Sequence, residues 1–91
     1  MGDIAKAGRV TGKVQGVWFR AWTETQARRH GVSGWVRNAP DGSVELHLEG
    51  PEAAVAAMEA ALWDGPPLAR VDGVELTPEA PTGRKGFGVR R

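Results

Sequence analysis

The segment from Gly12 to Arg20 contains two glycines and ends on an arginine, and these residue types suit the binding of an anion. A loop with glycines can turn successive backbone N–H groups towards one point. Residues 19–30, which contain no proline or glycine, predict a helix directly after the loop, and its N-terminus adds positive potential there. Arg20 supplies a planar guanidinium that can bind a phosphate through two hydrogen bonds. The ligand that this segment predicts is a phosphate-sized anion.

The glycine spacing differs from that of the standard nucleotide-binding loops. The Gly-Lys-Ser/Thr ending of a Walker A loop is missing, and the pattern Gly-x-Gly-x-x-Gly is absent from the segment. On glycine spacing alone, the segment is equally consistent with a connection between a strand and a helix that carries an incidental surface arginine.

A second candidate residue, Asn38, lies where a β-hairpin is predicted to turn. Alternating apolar or small residues at positions 32–36 and 44–48 flank the turn-forming sequence Asn-Ala-Pro-Asp-Gly. Asn38 is the only asparagine in the chain. Its amide can both accept from and donate to a water molecule, but an asparagine here can equally serve as a turn or capping residue.

Together the two segments strongly resemble the acylphosphatase family. The first is similar to that family's Gly-x-Val-Gln-Gly-Val-x-Phe-Arg signature, and the second to its Gly-aromatic-Val-basic-Asn-x-x-x-Gly-x-Val signature. The matching residues are Gly12, Val14, Gln15, Gly16, Val17, Phe19 and Arg20 in the first segment and Gly34, Trp35, Val36, Arg37, Asn38, Gly42 and Val44 in the second. The resemblance spans roughly Lys6 to the C-terminus, with a later family glycine at Gly50.

This resemblance implies a small hydrolase that cleaves the carboxyl–phosphate bond of acyl phosphates without a cofactor or a metal ion. Arg20 would hold the phosphate and Asn38 would place the attacking water. Apart from the resemblance, most of the four tryptophans are expected to be core or helix–sheet contacts, and Trp18, from its place beside the loop, is the one expected to contact the acyl group. The residues expected to bind the phosphate are Lys13, Val14, Gln15, Gly16 and Val17, through their backbone, together with Arg20.

The chain departs from the family pattern at two places. Lys13 stands where many relatives have arginine, which matters little if the loop binds through its backbone. Residues 86–91 are richer in glycine than the usual final strand. The packing of the last strand, and any contact between the C-terminus and Arg20, are therefore open.

Composition limits the class of protein. Ninety-one residues suit one domain, residues 1–91, and a formal net charge of +1 gives no broad basic field for nucleic acid. The chain has no cysteine, and its first residues lack the apolar run of a signal peptide, so the cytoplasm is the expected location. We expect a monomer that binds a small-molecule acyl phosphate, without nucleic-acid or membrane partners.

Other kinds of site are less well supported. His30 is expected to end the first helix, and His47 is expected on the outward face of the third strand. Glu45, His47 and Glu49 share that face, but such a set on an exposed strand is usually only a polar surface, so no metal site is expected. An RNA-binding module and a relative that binds acyl phosphates without turnover remain as alternatives; a turnover assay separates the second from an enzyme.

The elements that must position these residues follow the order strand, helix, strand, strand, helix, strand. Strands are predicted over about 6–12 and 68–76, and a short one over 87–90, with a loop over 77–86. The second helix begins at Gly50-Pro51-Glu52, carries an apolar stripe of Val55, Met58 and Leu62, and is stopped by Asp64-Gly65-Pro66-Pro67. The order predicts a ferredoxin-like βαββαβ α+β fold, with both helices on one face of an antiparallel sheet ordered 4-1-3-2 and the tail strand at an edge.

Overall fold

The computed structural model describes residues 2–91, which form five strands and two helices. Their order agrees with the predicted plan and confirms the ferredoxin-like α+β fold. The elements are β1 (Ile4–Lys13), α1 (Phe19–His30), β2 (Ser33–Asn38), β3 (Val44–Gly50), α2 (Glu52–Leu62), β4 (Arg70–Glu79) and β5 (Phe87–Arg90).

The sheet has the order β4-β1-β3-β2-β5, which confirms the predicted 4-1-3-2 arrangement and the edge position of the tail strand. Strands β1 to β4 pair antiparallel, but β5 runs parallel to β2, with Gly34 opposite Phe87. The predicted antiparallel sheet is therefore confirmed for β1 to β4, and the tail strand adds one parallel pair at the edge. The chain crosses the sheet at the end where β4 stops, so β5 starts there and must run back alongside β2.

Two strands are longer than the sequence pattern suggested. β1 begins at Ile4 although alanine and glycine are weak strand formers. Hydrogen bonds to β3 on one side and to β4 on the other stabilise it. Gly8 also has a steric role, since a Cβ there would lie 1.8 Å from the carbonyl oxygen of Glu75. β4 continues through Pro78 to Glu79 because an edge strand tolerates a residue without an N–H.

The core lies between the sheet and the two helices. The predicted apolar stripe of α2, Val55, Met58 and Leu62, is fully buried. It packs in one cluster with apolar side chains of α1 and of the sheet, among them Phe19, Ala27, Val10, Val36, Val44, Leu46 and Leu48. This packing holds α1 against α2, β2 and β5. None of the helices within residues 2–91 is both long and apolar enough to cross a membrane.

Candidate active site

Arg20 and Asn38, eighteen positions apart in sequence, line the same cavity at one end of the sheet. β1 and β2 both finish at this end, β3 begins there, and α1 starts just after the loop that leaves β1. The cavity has a volume of about 630 Å³, and its lining residues are Val14, Gly16, Trp18, Phe19, Arg20, Ala21, Glu24, Asn38, Val89 and Arg91. The fold thus brings together the two side chains that the sequence singled out.

The loop of residues 14–18 presents its backbone to solvent because two of its side chains are anchored. Val14 and Val17 are buried in the core, whereas Gly16 is exposed and has a φ of 74°. The N–H groups of residues 15–18 donate no hydrogen bond to any residue in the range 2–91. Unpaired N–H groups beside a helix N-terminus are available to an anion.

Not every residue predicted for the phosphate loop lines the cavity. Lys13 is the last residue of β1, where it pairs with Arg70 and is exposed. Val17 and Gln15 belong to the loop, but the Val17 side chain packs into the core and the Gln15 side chain turns towards the β2–β3 hairpin. Any contact of these two residues with an anion would come from their backbone.

The Gln15 side chain has a role that the sequence did not reveal. Its Nε2 donates to the carbonyl oxygens of Ala39 and Ser43, each at 2.8 Å. These carbonyls lie on the two sides of the hairpin turn, immediately after Asn38 and before β3. Gln15 therefore fixes the loop to the turn that carries Asn38. The only sequence signal for this role is a polar residue between the buried valines 14 and 17.

Arg20 lies in the first turn of α1, with Nη1 donating to the main-chain carbonyl of Arg90 at 3.1 Å. The tail therefore contacts Arg20 through a carbonyl of β5, a point on which the sequence was silent. The Arg90 guanidinium lies over the Trp35 ring, 4.6 Å from its centroid, which helps to hold β5 on β2. Within residues 2–91, Arg20 makes no other hydrogen bond, so its remaining N–H groups are free to bind an anion.

Asn38 is the last residue of β2, opposite Val44, and is half-buried. Its side chain forms no hydrogen bond with any residue in the described range 2–91. The turn is closed instead by Asp41, whose Oδ1 accepts from the Ser43 N–H at 2.9 Å and from the Ser43 hydroxyl at 2.6 Å. Because Asp41 fills the turn-forming role, the Asn38 amide is left to face the cavity.

Trp18 stands out in backbone geometry. It precedes α1 with a φ of 66°, and it is the only residue other than glycine with a positive φ in the range 2–91. A bulky side chain in this region costs on the order of 1–3 kcal/mol. The indole lines the cavity and is 79% exposed, so burial in the core does not offset that cost.

The side chains of His47 and Glu49, on the face of β3 away from the helices, are less exposed than expected. Both were expected on an exposed strand face, but each is only 3% exposed. Residues 80–86 cross that face, and Glu49 accepts from the N–H groups of Thr82, Gly83 and Arg84 and from the Thr82 hydroxyl. His47 bonds to Glu49 and Glu79, and none of these three residues lines the cavity.

Glu49 should make the fold sensitive to acid. Thr82, through its hydroxyl and its N–H, holds the pKa of Glu49 at about 2, against 4.5 ordinarily, despite the opposing effect of burial. A lowered pKa stabilises the folded state above pH 4.5, and this contribution disappears as the pH falls from about 4.5 to 2. Glu49→Gln should lower the free energy of unfolding at pH 7 by on the order of 2 kcal/mol.

Urea titrations of both proteins between pH 2 and 7 measure this effect. The difference between the wild type and Glu49→Gln should shrink towards zero near pH 2. Glu45→Gln is the matched control, because Glu45 lies on the same strand and pairs with Arg37 at 3.1 Å near the surface. A difference that is constant with pH, or equal for the two variants, would contradict a special role for Glu49.

The chain is similar in sequence and in structure to known acylphosphatases. The acylphosphatase family model matches residues 6–89. An acylphosphatase of Rhodospirillum rubrum is 54% identical over 82 residues, which cover 90% of each chain. The structure of an acylphosphatase from Coxiella burnetii has a TM-score of 0.93 at 34% identity, covering 97% of this chain and 93% of its own. The acylphosphatase from Bacillus subtilis has a TM-score of 0.92 at 32% identity over 99% of this chain and all of its own.

Proposed function

The chain belongs to the acylphosphatase family and is an acylphosphatase, and we propose that Arg20, Asn38 and the backbone of the loop at residues 14–17 perform its reaction. The substrate is a small-molecule acyl phosphate, and the products are a carboxylate and inorganic phosphate. The observation that carries the proposal is the shared cavity: a guanidinium with free N–H groups, an amide without a partner in residues 2–91, and a loop of unpaired N–H groups surround it.

In the first step the substrate binds through its phosphate group, whose oxygens accept hydrogen bonds from the loop N–H groups and from the Arg20 guanidinium. Phosphoryl transfer passes through a loose transition state with charge spread over the phosphoryl oxygens, so catalysis depends mainly on positioning and charge stabilisation. Arg20 supplies a full positive charge at this place, and the helix N-terminus and the loop N–H groups supply partial positive charges. The bond from Arg20 to the Arg90 carbonyl keeps the guanidinium in position between turnovers.

Asn38 orients the water that attacks phosphorus. The amide can accept one hydrogen bond from the water and donate another to it, which orients the water without taking a proton from it. As the new P–O bond forms, the P–O bond to the acyl group breaks, and its electron pair leaves with the carboxylate. The proton of the water passes to a phosphate oxygen. A carboxylate needs no proton to depart, so the mechanism requires no general acid.

Hydrolysis of benzoyl phosphate, measured with and without a chelator and after alkylation, tests this function. The rate should be unchanged by both treatments, since the proposed groups are amides, a guanidinium and backbone N–H groups. Inorganic phosphate should inhibit competitively because it occupies the same loop. Loss of activity on chelation that a divalent ion restores would contradict the mechanism, and absence of turnover in the untreated protein would favour a relative that only binds acyl phosphates.

The oligomeric state and the cellular location stay predictions. The compact arrangement of residues 2–91, whose Cα radius of gyration is 11.9 Å, is consistent with a monomer. Location in the cytoplasm and independence from nucleic-acid and membrane partners rest on the sequence pattern alone. Sedimentation analysis of the purified protein tests the monomer directly.

A further inference from the structure

The exposed apolar side chains of the protein are unevenly placed. Four large apolar residues are exposed within residues 2–91, namely Trp18, Trp63, Leu68 and Val89. Two of them, Trp18 and Val89, line the cavity that also contains Arg20 and Asn38. A phosphate alone gains nothing from these two side chains, since it binds through charge and hydrogen bonds. Their position therefore points to a second, apolar part of the ligand.

In an acyl phosphate, that apolar part is the acyl group. The acyl group is covalently attached to the phosphate, so it must lie in the same cavity or at its mouth when the phosphate is on the loop. Trp18 belongs to that loop, two residues before Arg20, and its indole is 79% exposed. An acyl group that covers part of the indole would remove apolar surface of both molecules from water.

The backbone at Trp18 gives independent support. Its φ of 66° suits glycine, which can adopt that region without a steric penalty. A tryptophan here brings strain and gains little burial within the described chain, and its side chain makes no cap for α1. Strained residues of this kind cluster at sites that bind ligands.

We propose that Trp18 is the acyl-binding residue of the site and makes the enzyme prefer acyl phosphates with aromatic or bulky apolar acyl groups over acetyl phosphate. This inference rests on the proposed function, because it places the phosphate on the loop. The indole contacts the acyl group in both the ground state and the transition state. Such uniform binding lowers KM and leaves kcat nearly unchanged.

The experiment measures kcat and KM for benzoyl phosphate and for acetyl phosphate in the wild type and three variants. In Trp18→Gly, KM for benzoyl phosphate should rise about three- to tenfold, the range expected for loss of an aromatic contact, while KM for acetyl phosphate should change little. Trp18→Phe should restore most of the preference. Trp63→Ala is the matched control, because Trp63 is 53% exposed but does not line the cavity.

Two further measurements distinguish acyl binding by Trp18 from a structural role in the loop. Inhibition by inorganic phosphate should be the same in Trp18→Gly and the wild type, and the melting temperature should stay equal or rise because glycine relieves the strain. An equal loss for both substrates, with weaker phosphate inhibition, would overturn the inference and make Trp18 a structural residue of the loop. If the wild type hydrolysed neither substrate, the proposed function itself would fail, whatever the variants did.

Discussion

Arg20→Ala is expected to lower kcat by about a thousandfold or more, as for other arginines that stabilise phosphoryl transfer, and to weaken inhibition by inorganic phosphate at the same time. Both effects follow because the guanidinium is proposed to bind charge in the ground state and in the transition state. Arg20→Lys should recover little activity, since an ammonium cannot reproduce the two parallel hydrogen bonds of a guanidinium. Steady-state kinetics with benzoyl phosphate and phosphate as inhibitor measure both quantities.

Arg29→Ala is the matched control for this prediction. Arg29 is an exposed arginine in the last turn of the same helix, and it does not line the cavity. The control should keep nearly full activity and phosphate affinity. Near wild-type turnover by Arg20→Lys would show that the geometry of the cation is unimportant, which is incompatible with the proposed role.

Asn38→Ala is expected to separate chemistry from binding. The turnover rate should fall by roughly a hundredfold or more, the usual cost of one well-placed polar group in a site that stabilises charge. Phosphate affinity should change much less, because Asn38 is proposed to contact the water and not the phosphate. Asn38→Asp should be as poor as alanine or worse, since a carboxylate would repel the approaching phosphate.

Asp41→Ala should show the reverse of Asn38→Ala, with lower stability and unchanged turnover. This variant loses the two bonds with Ser43 that close the turn, so it should lower the melting temperature and keep the turnover rate. If Asn38 were only a turn residue, Asn38→Asp would behave in the same way, with full activity and reduced stability. Kinetics, phosphate affinity and thermal unfolding of the three variants distinguish the two roles.

The loop and the hairpin could be predicted from sequence because their signals are local. Glycines at 12 and 16, the apolar spacing of residues 19–30 and the turn sequence at 38–42 each act within a few residues. The meeting of Arg20 with Asn38 is not local. It depends on β1 and β2 ending at the same edge of the sheet, which the resemblance implied and the strand order explains.

The side-chain contacts that the sequence missed involve partners from remote segments. Glu49 and His47 have the alternation of an exposed strand face, but residues 80–86 cover them from more than thirty positions away. The Gln15 side chain finds its partners in the hairpin, and Arg20 finds the carbonyl of a residue seventy positions later. Such tertiary contacts leave no mark on periodicity or propensity. The length of β4 was missed because Pro78 is a local signal to stop that an edge strand can override.

The anchoring of Arg20 by Arg90 has a consequence for biosynthesis. β5 leaves the ribosome after every other helix and strand described, and within the sheet it pairs with β2 alone. A nascent chain can already contain the loop, α1 and the β2–β3 hairpin while the carbonyl that receives the Arg20 hydrogen bond is still unavailable. The newborn protein should therefore acquire the parts proposed to bind phosphate early and full catalytic competence only when its last strand docks. Ribosome-bound chains whose C-terminal linker is long enough to bring β5 out of the exit tunnel should turn over substrate, whereas chains whose linker leaves β5 inside the tunnel should not.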